Sequence, residues 1–335
     1  MPNRSGPAPK SALLIAHRGA SGLRPEHTLA GYELAARMGA DYLEPDLVST
    51  ADGVLVARHE PEIGETTDVA ERPEFAHRHT TKIIDGQRYT GWFVEDLTLA
   101  ELKSLRATER LPLLRQRNTI YDRRFEVPTF DEILALRDRL SVELGREIGV
   151  YPETKHPIYF RSIGLPLEPG LVRTLERYGL NRRNAPVFAQ SFATHNLRAM
   201  RPWLKVPIVQ LLNPKDAHPA DDPGVTYGEL ATPAGLRSVA RYADGVGPSK
   251  DYIVPRDAAG RSLAPTSFVR DAHAAGLKVH PYTFRRENEF LPLELRSSSD
   301  PAGIGDLKAE IRQFFALGVD GLFTDNPDIG VAARG

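Results

Sequence analysis

The chain contains no cysteine, which excludes disulfides, thiolate nucleophiles and cysteine-ligated zinc or iron–sulfur sites. Net charge is nearly absent as well, −1 at pH 7 from 43 Lys and Arg against 44 Asp and Glu. Nothing therefore pulls the whole molecule toward nucleic acid or an anionic membrane surface. No window approaches the roughly 20 apolar residues of a spanning helix. The run Ala12–Ile15 is too short for a signal core, and residues 1–11 ahead of it read as a disordered, polar, proline-containing tail. The chain as it stands is expected in the cytoplasm, or outside it if a leader has been trimmed. A glycine-rich dinucleotide or phosphate loop is also missing, as are internal repeats and low-complexity tracts.

What is present is alternation. Short β-rich runs are expected at Ala12–His17, Tyr42–Val48, Val54–His59, Ile148–Thr154, Val187–Phe192, Val206–Leu212, Gly245–Pro248, Lys278–Phe284 and Gly321–Asp325. Helical patterns lie at His27–Met38, Leu99–Leu105, Phe130–Leu140, Pro169–Tyr178, Thr194–Trp203, Ala234–Tyr242, Thr266–Ala275 and Leu307–Ala316. Thr98 with Glu101 and Thr129 with Glu132 fit the capping box. Gly39, Gly179, Gly276 and Gly318 sit where helix C-caps belong. Strand–helix alternation over this length argues for a parallel sheet closed as a (β/α)8 TIM-type barrel. A doubly wound open sheet is the alternative. The run Val54–His59 has no helix before it and is expected as a hairpin arm at the barrel mouth. Residues 12–330 then form one catalytic barrel. Residues 60–126 break the rhythm and are expected as an insertion after the second barrel strand, capping the site. The charged cluster Arg115–Arg124 inside it is expected as a solvated loop, or as a phosphate-attracting rim.

The chemistry concentrates in Glu44-Pro45-Asp46, preceded by His17-Arg18-Gly19 and followed by His59. Carboxylates at i and i+2 on a strand share one face. Asp52-Gly53 is a strong hairpin signal. If those two residues form the loop, His59 lies opposite Asp46; if Ala51-Asp52 do, it lies opposite Glu44. Barrel active sites gather at the C-terminal strand ends, and polar residues fall there: His17-Arg18, Glu44 and Asp46, Glu153 with Lys155, Gln190-Ser191, Tyr282 with Arg285, and Asp325-Asn326. Three carboxylates, Glu44, Asp46 and Glu153, offer all-oxygen ligation suited to Ca2+, Mg2+ or Mn2+. An ion-pair network with Arg18 and Lys155 is the competing reading. His17 and His59 come from different strands and suit an acid–base pair for phosphodiester cleavage. Arg18 and Lys155 suit phosphate oxygens. Phe188, Gln190 and Phe192 share a face, as do Tyr282 and Phe284, and Tyr282 is the aromatic expected to meet a ligand through its hydroxyl.

At these residues the chain resembles the glycerophosphodiester phosphodiesterase family, in its bacterial GlpQ-like branch. The stretches that carry the resemblance are His17-Arg18-Gly19-Ala20-Ser21, Pro25-Glu26-His27-Thr28, Gly39 through Leu47, Gly149 through Lys155, Gln190-Ser191-Phe192, Ala243 through Pro248, Val279 through Arg285 and Gly321 through Pro327. The resemblance implies a distorted barrel and one divalent cation, Ca2+ or Mg2+, on Glu44, Asp46 and Glu153. It implies His17 and His59 as the acid–base pair, with Arg18 and Lys155 at the phosphate. Gln190, Phe192 and Tyr282 are expected on the substrate side. The implied partner is a small molecule, a deacylated phospholipid such as glycerophosphocholine or glycerophosphoethanolamine. The products are sn-glycerol 3-phosphate and an alcohol, formed through a cyclic phosphate. Attack on glycerol-phosphate polymers and a catalytically silent binding barrel are the alternatives. Three departures from the family pattern stand out: Glu60 follows His59 where Asp is usual, Pro45 separates the two acids, and no leader precedes the barrel.

Overall fold

Proline explains the most unusual feature of the sheet, two barrel strands that are each interrupted once. The computed structural model describes residues 12–335, so the expected tail at 1–11 lies outside the described residues. Its strands are β1 (Leu13–His17), β2 (Tyr42–Glu44), β3 (Asp46–Ser49), β4 (Leu55–Ala57), β5 (Thr80–Ile84), β6 (Gln87–Gly91), β7 (Gly149–Val150), β8 (Glu153–Thr154), β9 (Ala189–Ser191), β10 (Ile208–Leu212), β11 (Gly245–Pro248), β12 (Lys278–Val279) and β13 (Gly321–Thr324). Pro45 splits β2 from β3, and Tyr151-Pro152 splits β7 from β8, because proline brings no N–H to a ladder. The first halves pair with β1 and with each other; the second halves pair with each other and with β9. Each interrupted pair occupies one position of the ring.

The ring runs β13, β1, β2/β3, β7/β8, β9, β10, β11, β12, all parallel. It closes between β12 and β13. Asp320 N–H donates to Val279 O at 2.9 Å, Phe323 N–H to Pro281 O at 3.0 Å and Phe284 N–H to Phe323 O at 2.8 Å. The architecture is the (β/α)8 TIM-type barrel, not the open sheet. β4 pairs antiparallel with β3 and stays outside the ring.

The helices begin where the capping chemistry placed them. Thr98 and Thr129 each accept from the backbone three residues on, while Glu101 and Glu132 reach back, which completes both capping boxes. Gly39, Gly179, Gly276 and Gly318 take positive φ. The first helix is Leu29–Arg37, shorter than expected at its start because His27 is left-handed (φ 53) and the Thr28 side chain caps Gly31 N–H. Short helices at Pro157–Ser162 and Tyr227–Leu230 were not legible, being too brief to show a period. Residues 60–126 hold the β5–β6 hairpin, 3-10 turns and the short helix Leu99–Ser104.

Alternation along the strands builds two layers inside the ring. Ile15, Tyr151, Phe188, Val209 and Phe323 form an apolar plug. Two residues further along the same strands stand His17, Glu153, Gln190 and Asp325. The register fixes their level, with His17 opposite Glu44, Asp46 opposite Glu153 and Glu153 opposite Gln190. Tyr282 and Phe284 do not share a face as expected. The ladder of β12 ends at Val279, and Phe284 turns outward to pack edge-on against Phe314 at 4.9 Å.

The turn after β1 is tight. Gly19 has φ +90, and a Cβ there would stand 2.8 Å from the carbonyl carbon of Gly31. Gly19→Ala is expected to lower stability by about 1–3 kcal/mol, read as a lower thermal midpoint.

Candidate active site

The three acids meet as expected. Ligand oxygens of Glu44, Asp46 and Glu153 lie within 4.8 Å of one another, and all three residues are buried. Their surroundings divide the charge unequally. Burial opposes ionisation of Asp46, but the hydrogen bond from His27 Nε2 at 3.0 Å, with Lys155 and His59 nearby, holds its carboxyl well below the usual range. Burial and the charges of Asp46 and Glu153 push Glu44 well above it. Burial pushes Glu153 up to about 8, with Lys155 pulling the other way and Asp46 adding to the rise. Asp46 Oδ1 finds no hydrogen-bond partner among the described residues. A carboxylate oxygen left bare among crowded acids fits a hard cation with oxygen ligands.

Each candidate histidine has one nitrogen tied back and one turned inward. His17 Nδ1 lies 2.6 Å from Asp325 Oδ1, while Nε2 is 4.0 Å from Glu44 Oε2. His59 Nδ1 is hydrogen-bonded to Glu60 Oε1, while Nε2 lies 3.2 Å from Lys155 Nζ. A carboxylate behind Nδ1 keeps the proton there and leaves Nε2 with its lone pair facing the cavity. Burial, then Arg18, lower His17 to about 4. Burial, then Arg18 and Lys155, lower His59 to about 3. Both rings are neutral at pH 7 in the substrate-free site.

His59 arrives by neither expected hairpin register. Leu47 pairs with Ala57 and Ser49 with Leu55, so the loop is Ala51-Asp52-Gly53, with Gly53 at φ +79. That three-residue loop with a left-handed glycine puts Arg58 opposite Asp46, its N–H donating to Asp46 O at 2.9 Å. His59 then leaves the ladder and enters from the rim.

Arg18 is left-handed (φ 57); its N–H donates to Glu44 Oε2 at 3.1 Å, its Nη1 to Glu26 Oε2 at 2.9 Å, and its Nε lies 3.4 Å from Asp46 Oδ2. Lys155 Nζ is 2.9 Å from Glu153 Oε1 and 5.4 Å from the Phe192 ring centre. Burial works against its charge, yet Glu153 and then Asp46 raise its pKa. Gln190 Nε2 donates to Glu44 Oε1 at 2.8 Å, so this side chain braces an acid. The Tyr282 hydroxyl, expected to seek a ligand, donates instead to Leu212 O at 2.8 Å; the ring borders the cavity, edge-on to Phe192 at 6.0 Å.

One cavity of about 250 Å³ is lined by His17, Arg18, the three acids, His59, Gln190, Phe192 and Tyr282. It shares His59, Glu153, Phe192 and Tyr282 with a wider arm of about 440 Å³, which Lys155 also lines. Asp85, Gln87 and Tyr89 of the 60–126 segment form one wall of that arm. Three residues that brace the histidines carried no assigned role in the sequence. Asp325 and Arg285 were visible only as polar strand ends, and Glu60 only as an unusual neighbour of His59. Arg115, expected in a solvated loop or a phosphate rim, is buried and bound to Asp325 and Glu287.

Because burial pushes the Glu153 carboxyl up to about 8, any divalent cation that binds this trio must displace a proton from it, and binding to stripped protein is expected to release protons at pH 7. Affinity should fall as pH drops below 8. Calorimetry in buffers of different ionisation enthalpy measures this; a buffer-independent heat would contradict it.

The signature of the Glycerophosphoryl diester phosphodiesterase family matches residues 17–329. The chain belongs to the glycerophosphoryl diester phosphodiesterase family. A relative in Arabidopsis thaliana, glycerophosphodiester phosphodiesterase GDPD6, is 37% identical over 93% of this chain and 82% of its own length. The glycerophosphodiester phosphodiesterase of Haemophilus influenzae is 30% identical over 95% and 88%. A solved structure from Silicibacter pomeroyi, a glycerophosphoryl diester phosphodiesterase by description, superimposes with TM-score 0.68 at 22% identity, covering 98% of this chain and 94% of that one. An Oleispira antarctica phosphodiesterase, solved with the product sn-glycerol-3-phosphate, superimposes with TM-score 0.60 at 20% identity, covering 96% of each. As a family member the chain is an enzyme, a phosphoric diester hydrolase with glycerophosphodiester phosphodiesterase activity. Among its described residues no helix is long and apolar enough to cross a membrane.

Proposed function

We propose that the chain hydrolyses glycerophosphodiesters such as glycerophosphocholine and glycerophosphoethanolamine to sn-glycerol 3-phosphate and the free alcohol, with one divalent cation, Ca2+ or Mg2+, on Glu44, Asp46 and Glu153. The observation that carries this reading is the pair of imidazoles, each tied back to a carboxylate at Nδ1, with His17 Nε2 4.0 Å from Glu44 and His59 Nε2 3.2 Å from Lys155, both lining the cavity over the acid trio. When bound, the cation would neutralise charge on the phosphoryl oxygens. The residues supply the rest. Arg18 and Lys155 receive the phosphodiester anion. One imidazole takes the proton of the substrate's glycerol 2-hydroxyl as that oxygen attacks phosphorus. The other gives a proton to the departing alkoxide, leaving a cyclic phosphate and the alcohol. Water then opens the cyclic phosphate with the roles reversed. The acid takes up this proton from solvent as the substrate anion binds, since the anion offsets Arg18 and Lys155, which hold His59 neutral, and Arg18, which does the same at His17.

Gln190 keeps Glu44 in place, and the Phe192 and Tyr282 rings wall the cavity where the substrate lies. The alcohol occupies the wider arm. That arm also favours a second substrate, the chain ends of glycerol-phosphate polymers, since it is larger than the cavity over the acids. A silent binding barrel is disfavoured by the presence of every acid and both histidines. The test is phosphorus NMR of glycerophosphocholine turnover. Conversion to sn-glycerol 3-phosphate is expected; phosphocholine as the product, or no turnover, would overturn the proposal.

A further inference from the structure

The segment 60–126 does more than wall the cavity. It sends two arginines, five residues apart, inward to the backs of the two histidines. Arg115 is buried. Its Nη2 lies 2.5 Å from Asp325 Oδ2, its Nε 2.8 Å from Glu287 Oε1, and its Nη1 donates to Ser21 O at 2.9 Å. Asp325 in turn holds His17 Nδ1. Arg110 makes the matching contact on the other side. Its Nη2 lies 2.5 Å from Glu60 Oε2, and its Nε and Nη2 grip Glu26 at 2.8 and 2.7 Å. Glu60 holds His59 Nδ1, and Glu26 holds Arg18.

The loop that presents them is braced from within. The buried Glu109 accepts from Leu111 N–H at 2.9 Å and from Asn118 Nδ2 at 2.9 Å, which fixes the spacing between the two arginines. A guanidinium fork fixes both the direction and the charge of a carboxylate. A carboxylate so fixed can hold only one ring nitrogen protonated and one ring plane.

We propose that Arg110 and Arg115 are positioning residues, each locking one histidine through its carboxylate: Arg115 through Asp325 to His17, and Arg110 through Glu60 to His59. The segment thereby couples its own docking to the orientation of both imidazoles. The two sides differ in redundancy. Asp325 also receives Arg285 Nε at 2.9 Å, whereas Arg110 is the only arginine or lysine paired with Glu60 among the described residues. Loss of Arg110 is therefore expected to disturb its histidine more than loss of Arg115 disturbs the other. The inference rests on the acid–base roles proposed above, but its first test does not need activity.

The readout is nitrogen NMR of the histidine rings in full-length protein. His17 and His59 are expected as Nδ1–H tautomers. In Arg115→Met the His17 signals should move toward a mixture while His59 keeps its pattern; in Arg110→Met the reverse should hold. Arg110→Lys and Arg115→Lys, which retain charge and are gentler on folding, should give intermediate shifts at the same histidine. Kinetics on glycerophosphocholine with saturating cation should show kcat about 10–100-fold lower in the Met variants with KM within about twofold. Arg123→Met, on an exposed pair with Glu71 in the same segment, should match wild type. Unchanged tautomers in folded Met or Lys variants would overturn the proposal, as would equal disturbance of both histidines by either change. A wild type that turns over no glycerophosphodiester would instead defeat the proposed function, with the tautomer result still deciding the positioning.

Discussion

His17→Ala and His59→Ala are each expected to lower kcat by about 10²–10⁴-fold with the fold intact, the range for loss of a general acid or base. The structure says why the fold should survive. Removing His17 leaves Asp325 between Arg115 and Arg285, so no buried charge is orphaned. Removing His59 leaves Glu60 on Arg110. The pH dependence of stability supplies an independent check. Burial and Arg18 lower His17 to about 4, and burial with Arg18 and Lys155 lowers His59 to about 3. The folded state therefore refuses protons that the unfolded chain accepts near pH 6.5. The contribution of these rings to stability is complete above pH 6.5 and declines as pH falls toward 4. Each alanine variant should lose part of that slope. Near-wild-type turnover in either variant would remove that histidine from the mechanism.

Asp46→Asn is expected to weaken divalent-cation binding by about 10²-fold or more and to lower turnover with it at fixed cation concentration. Asp46 is the acid of the trio that its surroundings keep ionised, with one oxygen held by His27 and the other unpartnered. Asparagine keeps the size and removes the charge. His27 can still meet the amide oxygen, so the thermal midpoint should move little. Raising the cation concentration should recover part of the rate. Equal cation affinity in wild type and variant, by calorimetry, would place the ion elsewhere.

Much of this was readable in the chain because barrel logic is periodic. The alternation that buries Ile15 and Phe323 points His17 and Asp325 inward, and strand-end position turns polar residues into site residues. Glu44, Asp46 and Glu153 were legible for that reason. What escaped depends on long-range contact. No pattern near Arg115 shows that it will reach across 210 residues to Asp325, and a charged cluster in a loop looks solvated until its partners are known. The route of His59 was misjudged by one residue of register, because Asp52 caps Leu99 N–H at 2.9 Å and Gly53 takes the left-handed turn, which makes the loop three residues long. The partner of the Tyr282 hydroxyl was hidden for a similar reason, being a backbone carbonyl 70 residues away.

The measurement that tests the central claim most directly is the rate of glycerol 3-phosphate release from glycerophosphocholine by metal-stripped protein as Ca2+ or Mg2+ is returned. Negligible release is expected from the stripped protein, with saturable recovery on return of one of these ions that Asp46→Asn shifts to higher concentration. Full activity in the stripped protein, or recovery that Asp46→Asn leaves unchanged, would contradict it.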